Sequence, residues 1–179
     1  MALLIYRIQK LQFVATLLQG EGARRYGGRW NPEGIPLVYT SVSPELALLE
    51  TLVHLDGTPF HDLPPYVQVT LSVPEELVEV IPATALPLGW DQLPSPDHVA
   101  RFLLSRLQPT SPYVGFAVPS SVLPGSPSRN VLLNPSHPLI GKVEIVAVTP
   151  QVFDERLRPA VPAPVASVGR PRSKRNPKP

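Results

Sequence analysis

Proline is the residue type that most restricts the fold of this chain, because 25 prolines are spread along its 179 residues. Proline fixes the backbone φ angle and has no N–H to donate, so it interrupts helices and central strands. This distribution favours short strands joined by irregular loops over a regular alternation of strands and helices. The chain is therefore predicted to have an α+β fold.

Seven short segments are rich in β-branched or aromatic residues, and each is bounded by Pro, Gly, Asn or Ser. These predicted strands are residues 3–8, 36–41, 66–73, 78–81, 114–118, 130–133 and 142–148. Two helices are predicted, at 43–55 and 97–107. Ser43 is suited to cap the first helix, and Pro44 is suited to its first turn.

Length and hydrophobic content predict one folded domain, residues 1–158. With 43% hydrophobic residues, the chain can bury a continuous core. Residues 159–179 contain no acidic residue and no periodic apolar face, so we expect a flexible, Pro-rich basic tail. No apolar run approaches about 18 residues and the amino terminus lacks a secretory signal, which predicts a cytoplasmic protein without a membrane span.

The formal net charge of +2 hides an uneven distribution of charge. Five of the 16 basic residues lie at 170–179, which leaves 11 basic and 14 acidic residues, a net charge of −3, in residues 1–169. An acidic body argues against direct nucleic-acid binding. The chain has no cysteine, and its histidines at 54, 61, 98 and 137 lack metal-ligand spacing, so metal-free chemistry is predicted.

Glu50 is the only charged residue between Leu46 and Val53, and it lies at the border of the apolar stripe of the predicted helix 43–55. A glutamate at a helix edge commonly pairs with the residue four positions on, which here is His54. The alternative is a partly buried carboxylate that stabilises positive charge in a cleft. Spacing alone leaves both interpretations open.

The stretch GGRWNPEG, residues 27–34, places Arg29 directly after two glycines. Glycine permits positive φ or the close approach of a ligand to the backbone, and a guanidinium suits phosphate or carboxylate. The stretch matches neither the dinucleotide-binding fingerprint nor the phosphate loop, so a turn with a solvated arginine is the alternative. Tyr39, near the end of the predicted strand 36–41, fits either the core or a site.

Residues 117–138 place Ser120, Asn130, Asn134 and His137 around short strands. Neither Ser120 nor its neighbour Ser121 has the Gly-x-Ser-x-Gly setting of a hydrolase nucleophile, and no catalytic triad is evident. Hydrogen-bonding roles in a site and simple turn chemistry are the two interpretations.

Several separated blocks, taken together, resemble the RES domain family, which is named for Arg, Glu and Ser residues in its motifs. The blocks are GARRYGGRWNPEGIPLVYTSVSPELALLETLVHL (22–55), LPLGW (86–90), VPSSVLP with NVLLNPSHP (within 118–138) and FDERL (153–157). The resemblance covers about residues 4–158. One departure is Phe102, where the family often has tryptophan.

The resemblance implies an ADP-ribosyltransferase-like split β-sheet around an NAD⁺-binding cleft. It also implies the toxin of a bacterial type II toxin–antitoxin pair, which consumes NAD⁺ as its substrate. The arginine, tyrosine and glutamate of the family pattern fall on Arg29, Tyr39 and Glu50. Its serine falls on Ser120, with Ser121 as the nearest alternative.

Each residue of this pattern has a role that NAD⁺ cleavage would require. Breaking the nicotinamide N-glycosidic bond builds an oxocarbenium-like charge on the ribose as neutral nicotinamide leaves. The resemblance assigns the pyrophosphate to Arg29, the nicotinamide to Tyr39 and the developing cation to Glu50. Ser120 orients ribose or phosphate, and Asn130 matches a recurring polar position of the NAD⁺ site.

The acceptor of the ADP-ribose group is not determined by these residues. Water or phosphate is the first expectation, transfer to a cellular protein is the alternative, and a non-catalytic binding module is a further alternative. The resemblance also implies a partner, a cognate antitoxin with a helix-turn-helix DNA-binding part. No cofactor is expected beyond NAD⁺ as the substrate.

Overall fold

The computed structural model describes residues 1–55 and 57–157, which form a seven-stranded sheet with three short α-helices. The predicted α+β class is confirmed. The predicted tail, residues 159–179, lies outside the described residues. Within the described ranges, no helix is long and apolar enough to cross a membrane.

All seven predicted strands are present, and they form one mixed sheet. In chain order they are β1 Ala2–Lys10, β2 Val38–Ser41, β3 Tyr66–Pro74, β4 Val78–Val80, β5 Gly115–Pro119, β6 Arg129–Leu133 and β7 Glu144–Gln151. Their order across the sheet is β4-β5-β6-β2-β1-β3-β7. Strands β4 and β5 are parallel, and the other neighbours are antiparallel.

The sheet consists of two parts that meet between β1 and β2. These strands pair only at Tyr6 and Ser41, whereas β1 pairs with β3 from Ala2 through Lys10. The backbones of β1 and β2 are therefore not joined by a ladder beyond Tyr6. This opening is the split that the family resemblance implies.

The helices connect these strands and cover the sheet. They are α1 Glu21–Tyr26, α2 Pro44–Leu52 and α3 Asp97–Ala100, and a 3-10 helix spans Leu11–Gln19. The predicted cap of α2 is confirmed, because the Ser43 hydroxyl accepts the N–H of Leu46 at 3.2 Å. Pro44 occupies the first turn of α2, where its missing N–H costs nothing.

The predicted helix 97–107 is wrong beyond Ala100. From Arg101 onwards the chain continues in tight turns, such as the one closed by the Phe102 N–H on the Val99 carbonyl. Val99 and Leu103 are fully buried in this arrangement. Core packing therefore sets the local conformation, because short helices have little stability of their own.

Buried side chains form two clusters, one on each face of the sheet. The first includes Ile5, Val69, Leu71, Val131 and Leu133, with Leu17 of the 3-10 helix packed on it. The second includes Trp30, Leu37, Val99, Leu103, Phe116 and Leu132, with Tyr39 packed against it. The second cluster includes Trp30, next to Arg29, so the turn that carries Arg29 is anchored on the second face.

Candidate active site

Glu50 of α2 meets two polar side chains from the opposite end of the chain. Its Oε1 accepts hydrogen bonds from Ser120 Oγ at 2.7 Å and from Asn130 Nδ2 at 2.6 Å. No ion pair joins Glu50 to His54 or to another basic group in the described part of the chain, so the helix-edge pairing is not formed. The structure therefore brings three predicted site residues into direct contact.

Buried hydrogen bonds fix the orientation of both partners of Glu50. Ser120 is fully buried, and its oxygen accepts the backbone N–H groups of Val122 and Leu123 at 3.1 and 3.2 Å. The Asn130 carbonyl oxygen accepts from Ser41 Oγ at 2.7 Å, which leaves the amide group to face Glu50. Of the two neighbouring serines, Ser120 is the one that contacts Glu50 in the described structure.

Only one oxygen of the Glu50 carboxylate is used by this network. Oε2 accepts no hydrogen bond from residues 1–55 or 57–157, and the side chain is half-buried. A carboxylate that is held through one oxygen presents the other in a defined direction. The arrangement is thus suited to place a negative charge against a bound ligand.

Tyr39 connects this network to the glycine turn. Tyr39 and Ser41 are two residues apart on β2 and therefore lie on the same face, about 7 Å apart. The Tyr39 hydroxyl donates to Asn31 Oδ1 at 2.7 Å and accepts the N–H of Trp30 at 3.1 Å. Burial raises the pKa of Tyr39 well above its usual range, so the hydroxyl stays protonated and keeps its donor role.

Each of the two glycines has a structural reason in the turn, and the predicted alternative of positive φ is confirmed for Gly27. Gly27 has a φ of 65°, a conformation that favours glycine. A Cβ atom on Gly28 would lie 2.5 Å from the Tyr39 hydroxyl oxygen. A glycine is therefore needed at position 28, because the Tyr39 hydroxyl occupies the space that a side chain at this position would fill.

Asn31 was missed by the sequence reasoning, although it organises the turn. It is fully buried, and its Nδ2 lies within hydrogen-bond distance of the carbonyls of Ala23, Pro32 and Ile35, at 2.8–3.2 Å. Its Oδ1 accepts from Tyr39. An asparagine before proline is typical of turns, so the local sequence carries no signal of this longer-range role.

Arg29 is not a solvated turn residue, because its Nη1 donates to the carbonyls of Trp90 and Gln92 at 2.7 and 2.8 Å. The Trp30 and Trp90 rings also stack, with centroids 6.5 Å apart. These contacts fasten the loop around Trp90 to the glycine turn. Nε and Nη2 of Arg29 make no hydrogen bond within the described ranges, so they can still donate to an anion.

Arg7 is a second cation near Tyr39, and the sequence reasoning missed it. Its Nη1 donates to the Tyr39 carbonyl at 2.6 Å, across the opening between β1 and β2, and its Nε donates to Gln9 Oε1 at 2.9 Å. No carboxylate pairs with Arg7 in the described part of the chain, and burial lowers its pKa. Gln9 is 8% exposed, and its buried Nε2 has no hydrogen-bond partner in the described structure.

The sequence does contain a signal for Arg7. It occupies the same side of β1 as Leu3 and Ile5, which are apolar, so a charged residue interrupts an apolar face. An unpaired charge on such a face is unfavourable without a partner. This exception to the alternating pattern is what would have marked Arg7.

Asn134 and His137 are separate from this site and shape loops. Asn134 Nδ2 donates to the Leu107 carbonyl at 3.1 Å. One ring nitrogen of His137 lies 2.8 Å from the Ser111 carbonyl oxygen, and the other accepts the N–H of Leu139 at 3.1 Å. Turn chemistry is thus the interpretation that fits both residues.

Comparison with known proteins places these features in a family. The model of the RES domain matches residues 4–157. A protein named Toxin Res from Photorhabdus laumondii is 32% identical over 133 residues, which are 74% of this chain and 82% of that protein. A Prs ADP-ribosylating toxin from a Sphingobium strain is 36% identical over 150 residues, 81% of this chain and 89% of that protein.

A solved structure has the same fold. It is the toxin–antitoxin complex MbcT–MbcA of M. tuberculosis, in which one chain aligns with a TM-score of 0.62 over 85% of both chains. Sequence identity in that alignment is 19%, so the likeness concerns the fold.

Proposed function

The chain belongs to the RES domain family, and from this premise we propose that it is a toxin enzyme that cleaves the nicotinamide N-glycosidic bond of NAD⁺. The observation that carries the proposal is the Glu50 carboxylate, held by Ser120 and Asn130 with one oxygen unused. Such a group can stabilise the cationic ribose that forms as nicotinamide leaves. The C1′–N bond breaks with its electron pair passing to the nicotinamide nitrogen.

Within this proposal, Ser120 and Asn130 are positioning residues for Glu50. Ser120 is fully buried, and its hydroxyl donates a hydrogen bond to Glu50 and accepts hydrogen bonds from two backbone N–H groups. The side-chain amide of Asn130 accepts a hydrogen bond from Ser41 through its oxygen and donates one to Glu50 through its nitrogen. Removing either group would loosen the carboxylate, because buried partners left without hydrogen bonds are unfavourable.

Arg29 supplies the attraction for the pyrophosphate. Arg29 has free donors in the described structure, beside the loop that it fastens, whereas Arg7 lies on the Ile5 side of β1, opposite to the face of Tyr39, and donates to the Tyr39 carbonyl. Guanidinium groups bind phosphate oxygens through paired N–H donors. We therefore assign the pyrophosphate to Arg29, the residue that the sequence prediction named, and not to Arg7.

Tyr39 forms the wall of the nicotinamide site. Its hydroxyl is engaged with Asn31 and Trp30, so its contribution to the ligand is the face or edge of the ring. Aromatic rings stack favourably on planar heterocycles such as nicotinamide. The hydroxyl contacts keep the ring in place before NAD⁺ binds, which reduces the ordering that binding requires.

The proposed acceptor is water or phosphate, whose oxygen bonds to C1′ and releases a proton to solvent. Transfer of ADP-ribose to a cellular protein is the second candidate, favoured by the relative named as a Prs ADP-ribosylating toxin. Incubation with NAD⁺ labelled in the adenylate part would separate the two, because label appears either in free ADP-ribose or in protein. Unchanged NAD⁺ with both water and cell extract would contradict both candidates.

The proposal includes an antitoxin that blocks the cleft, since an unrestrained NAD⁺-consuming enzyme would harm its own host. Support comes from the relatives named as toxins and from the complex in which the structural neighbour was solved. We further propose that the antitoxin carries a helix-turn-helix part and makes any DNA contact, because the body of this chain is acidic. Co-purification with the product of a neighbouring gene tests this partner.

A further inference from the structure

The outer edge of β7 has properties that the proposed activity does not use. Strand β7 pairs with β3 on one side, and its other side meets no strand in residues 1–55 or 57–157. Its first seven residues are all exposed, and they include Ile145, Val146 and Val148 at 44%, 51% and 42%. A long apolar edge strand with free N–H and C=O groups is a template for a further strand.

Two apolar side chains of β7 lie on the same face of the sheet as the buried core residues of β3, but they are themselves exposed. Ile145 lies opposite Leu71 and Val148 lies opposite Val69, and both of these β3 residues are fully buried. The register shifts between these pairs, so Val146 is an extra, bulged residue. The bulge places Ile145 and Val148 on one face although they are three residues apart.

We propose that β7 pairs with β7 of a second copy of this chain, in the antiparallel direction. A two-fold axis that passes between Val146 and Ala147 places Ile145 of each copy opposite Val148 of the other copy. Because of the bulge, these opposed side chains lie on the same face and form one apolar patch. Glu144, the only charged residue of the strand, then lies opposite Thr149, so no like charges oppose each other.

The proline near the end of β7 agrees with this register. Pro150 has no N–H to donate, so it limits pairing at the end of the strand. The pairing from Glu144 to Thr149 stops before it. A parallel arrangement would instead bring the two Glu144 carboxylates side by side, which is unfavourable.

The dimer leaves the proposed active site accessible. Strands β1 and β3 separate β2 from β7, a distance of about 14 Å across the sheet. Dimerisation and NAD⁺ cleavage are therefore independent, and the inference does not rest on the proposed function. Six paired residues make a small interface, so we expect a Kd of roughly 10 to 100 µM.

Sedimentation of the full chain at about 5 to 200 µM tests the association. We expect a concentration-dependent dimer for the wild type and a monomer for Ile145→Lys. Leu4→Lys is the matched control, because Leu4 is 45% exposed on β1 and should leave the dimer intact. A wild type that is monomeric at about 200 µM, or an Ile145→Lys variant that still dimerises, would overturn the proposal.

Disulfide cross-linking tests the register in the native, cysteine-free chain. The double variant Ile145→Cys with Val148→Cys should form an intermolecular disulfide in mild oxidant, since the residues oppose each other between copies. Within one chain they are about 10 Å apart, beyond the 7 Å that a disulfide spans. Each single variant is the control and should remain uncrosslinked. A folded double variant that gives no cross-linked dimer would refute this register.

Discussion

Replacement of Glu50 by glutamine separates the charge of this residue from its packing. Glutamine keeps an Oε1 that can accept from Ser120 and Asn130, and no ion pair is lost because none is formed in the described structure. The free energy of unfolding should therefore change by less than about 1 kcal/mol. What the variant lacks is the negative charge at Oε2.

The expected loss of activity follows from the position of that charge. A full positive charge about 4 Å from a carboxylate interacts by about 4 kcal/mol at an effective dielectric constant near 20, which suits a half-buried group. A partly developed ribose cation would thus lose roughly 2.7 kcal/mol of stabilisation, which slows the reaction about 10²-fold. Nicotinamide release, followed by chromatography, measures this rate.

Binding and stability complete the test of Glu50. NAD⁺ binding by calorimetry should change little, because the charge acts mainly as the bond breaks. Glu45→Gln is the control, since Glu45 is an exposed glutamate on the same helix, and its turnover should equal that of the wild type. A folded Glu50→Gln protein with wild-type turnover would remove Glu50 from the mechanism, and an unfolded one would refute the hydrogen-bond argument.

Four further outcomes are expected. Gly28→Ala should destabilise the protein by roughly 1 to 3 kcal/mol in chemical denaturation, because the new methyl overlaps the Tyr39 hydroxyl, whereas Gly22→Ala, inside α1 with open space around it, should stabilise slightly. Burial keeps the Tyr39 hydroxyl protonated in the folded protein, whereas the same hydroxyl ionises near pH 10 in the unfolded chain. The free energy of unfolding of the wild type should therefore fall above about pH 10. Tyr39→Phe should reduce that fall in alkaline melting curves, with the remainder due in part to Tyr66, whose pKa burial also raises. A dependence of stability on pH equal to that of the wild type would contradict the buried position of Tyr39. Arg29→Ala should weaken NAD⁺ binding as well as turnover. It should also increase proteolysis near Trp90, since Nη1 of Arg29 fastens that loop. Unchanged NAD⁺ binding together with a loop that stays protected from proteolysis would disprove both roles. A chain truncated after Arg158 should keep its NAD⁺ turnover, because every proposed site residue lies before it, and a folded but inactive truncate would contradict the predicted dispensable tail.

Local patterns predicted the strands and the cap of α2 well. Alternating or apolar runs bounded by turn residues are short-range features, and so is Ser43 before Pro44. The same local reasoning overextended the helix at 97–107, where the burial of Val99 and Leu103 determines the conformation. It also missed α1, although Glu21 pairs with Arg24 and Arg25 at helical spacing.

The candidate site was predictable in its residue types but not in its contacts. Arg29 bonds to a carbonyl 61 residues away, and Arg7 bonds to one 32 residues away. Such contacts depend on how strands pair across the sheet, which local spacing does not encode. Glu50 illustrates the same limit, because its local neighbour His54 was the plausible partner and distant Ser120 is the actual one.

The wide separation of the groups around Glu50 has a consequence for protein synthesis. Glu50 is 70 residues from Ser120 and 80 from Asn130, so neither contact exists until most of the chain has been translated. At about 5 to 20 residues per second, the ribosome takes roughly 4 to 16 s to add those 80 residues. During this time the nascent chain contains Glu50 but lacks the serine and asparagine that orient its carboxylate. The Glu50 site is assembled only after residue 130 has been synthesised, so it cannot form early in translation.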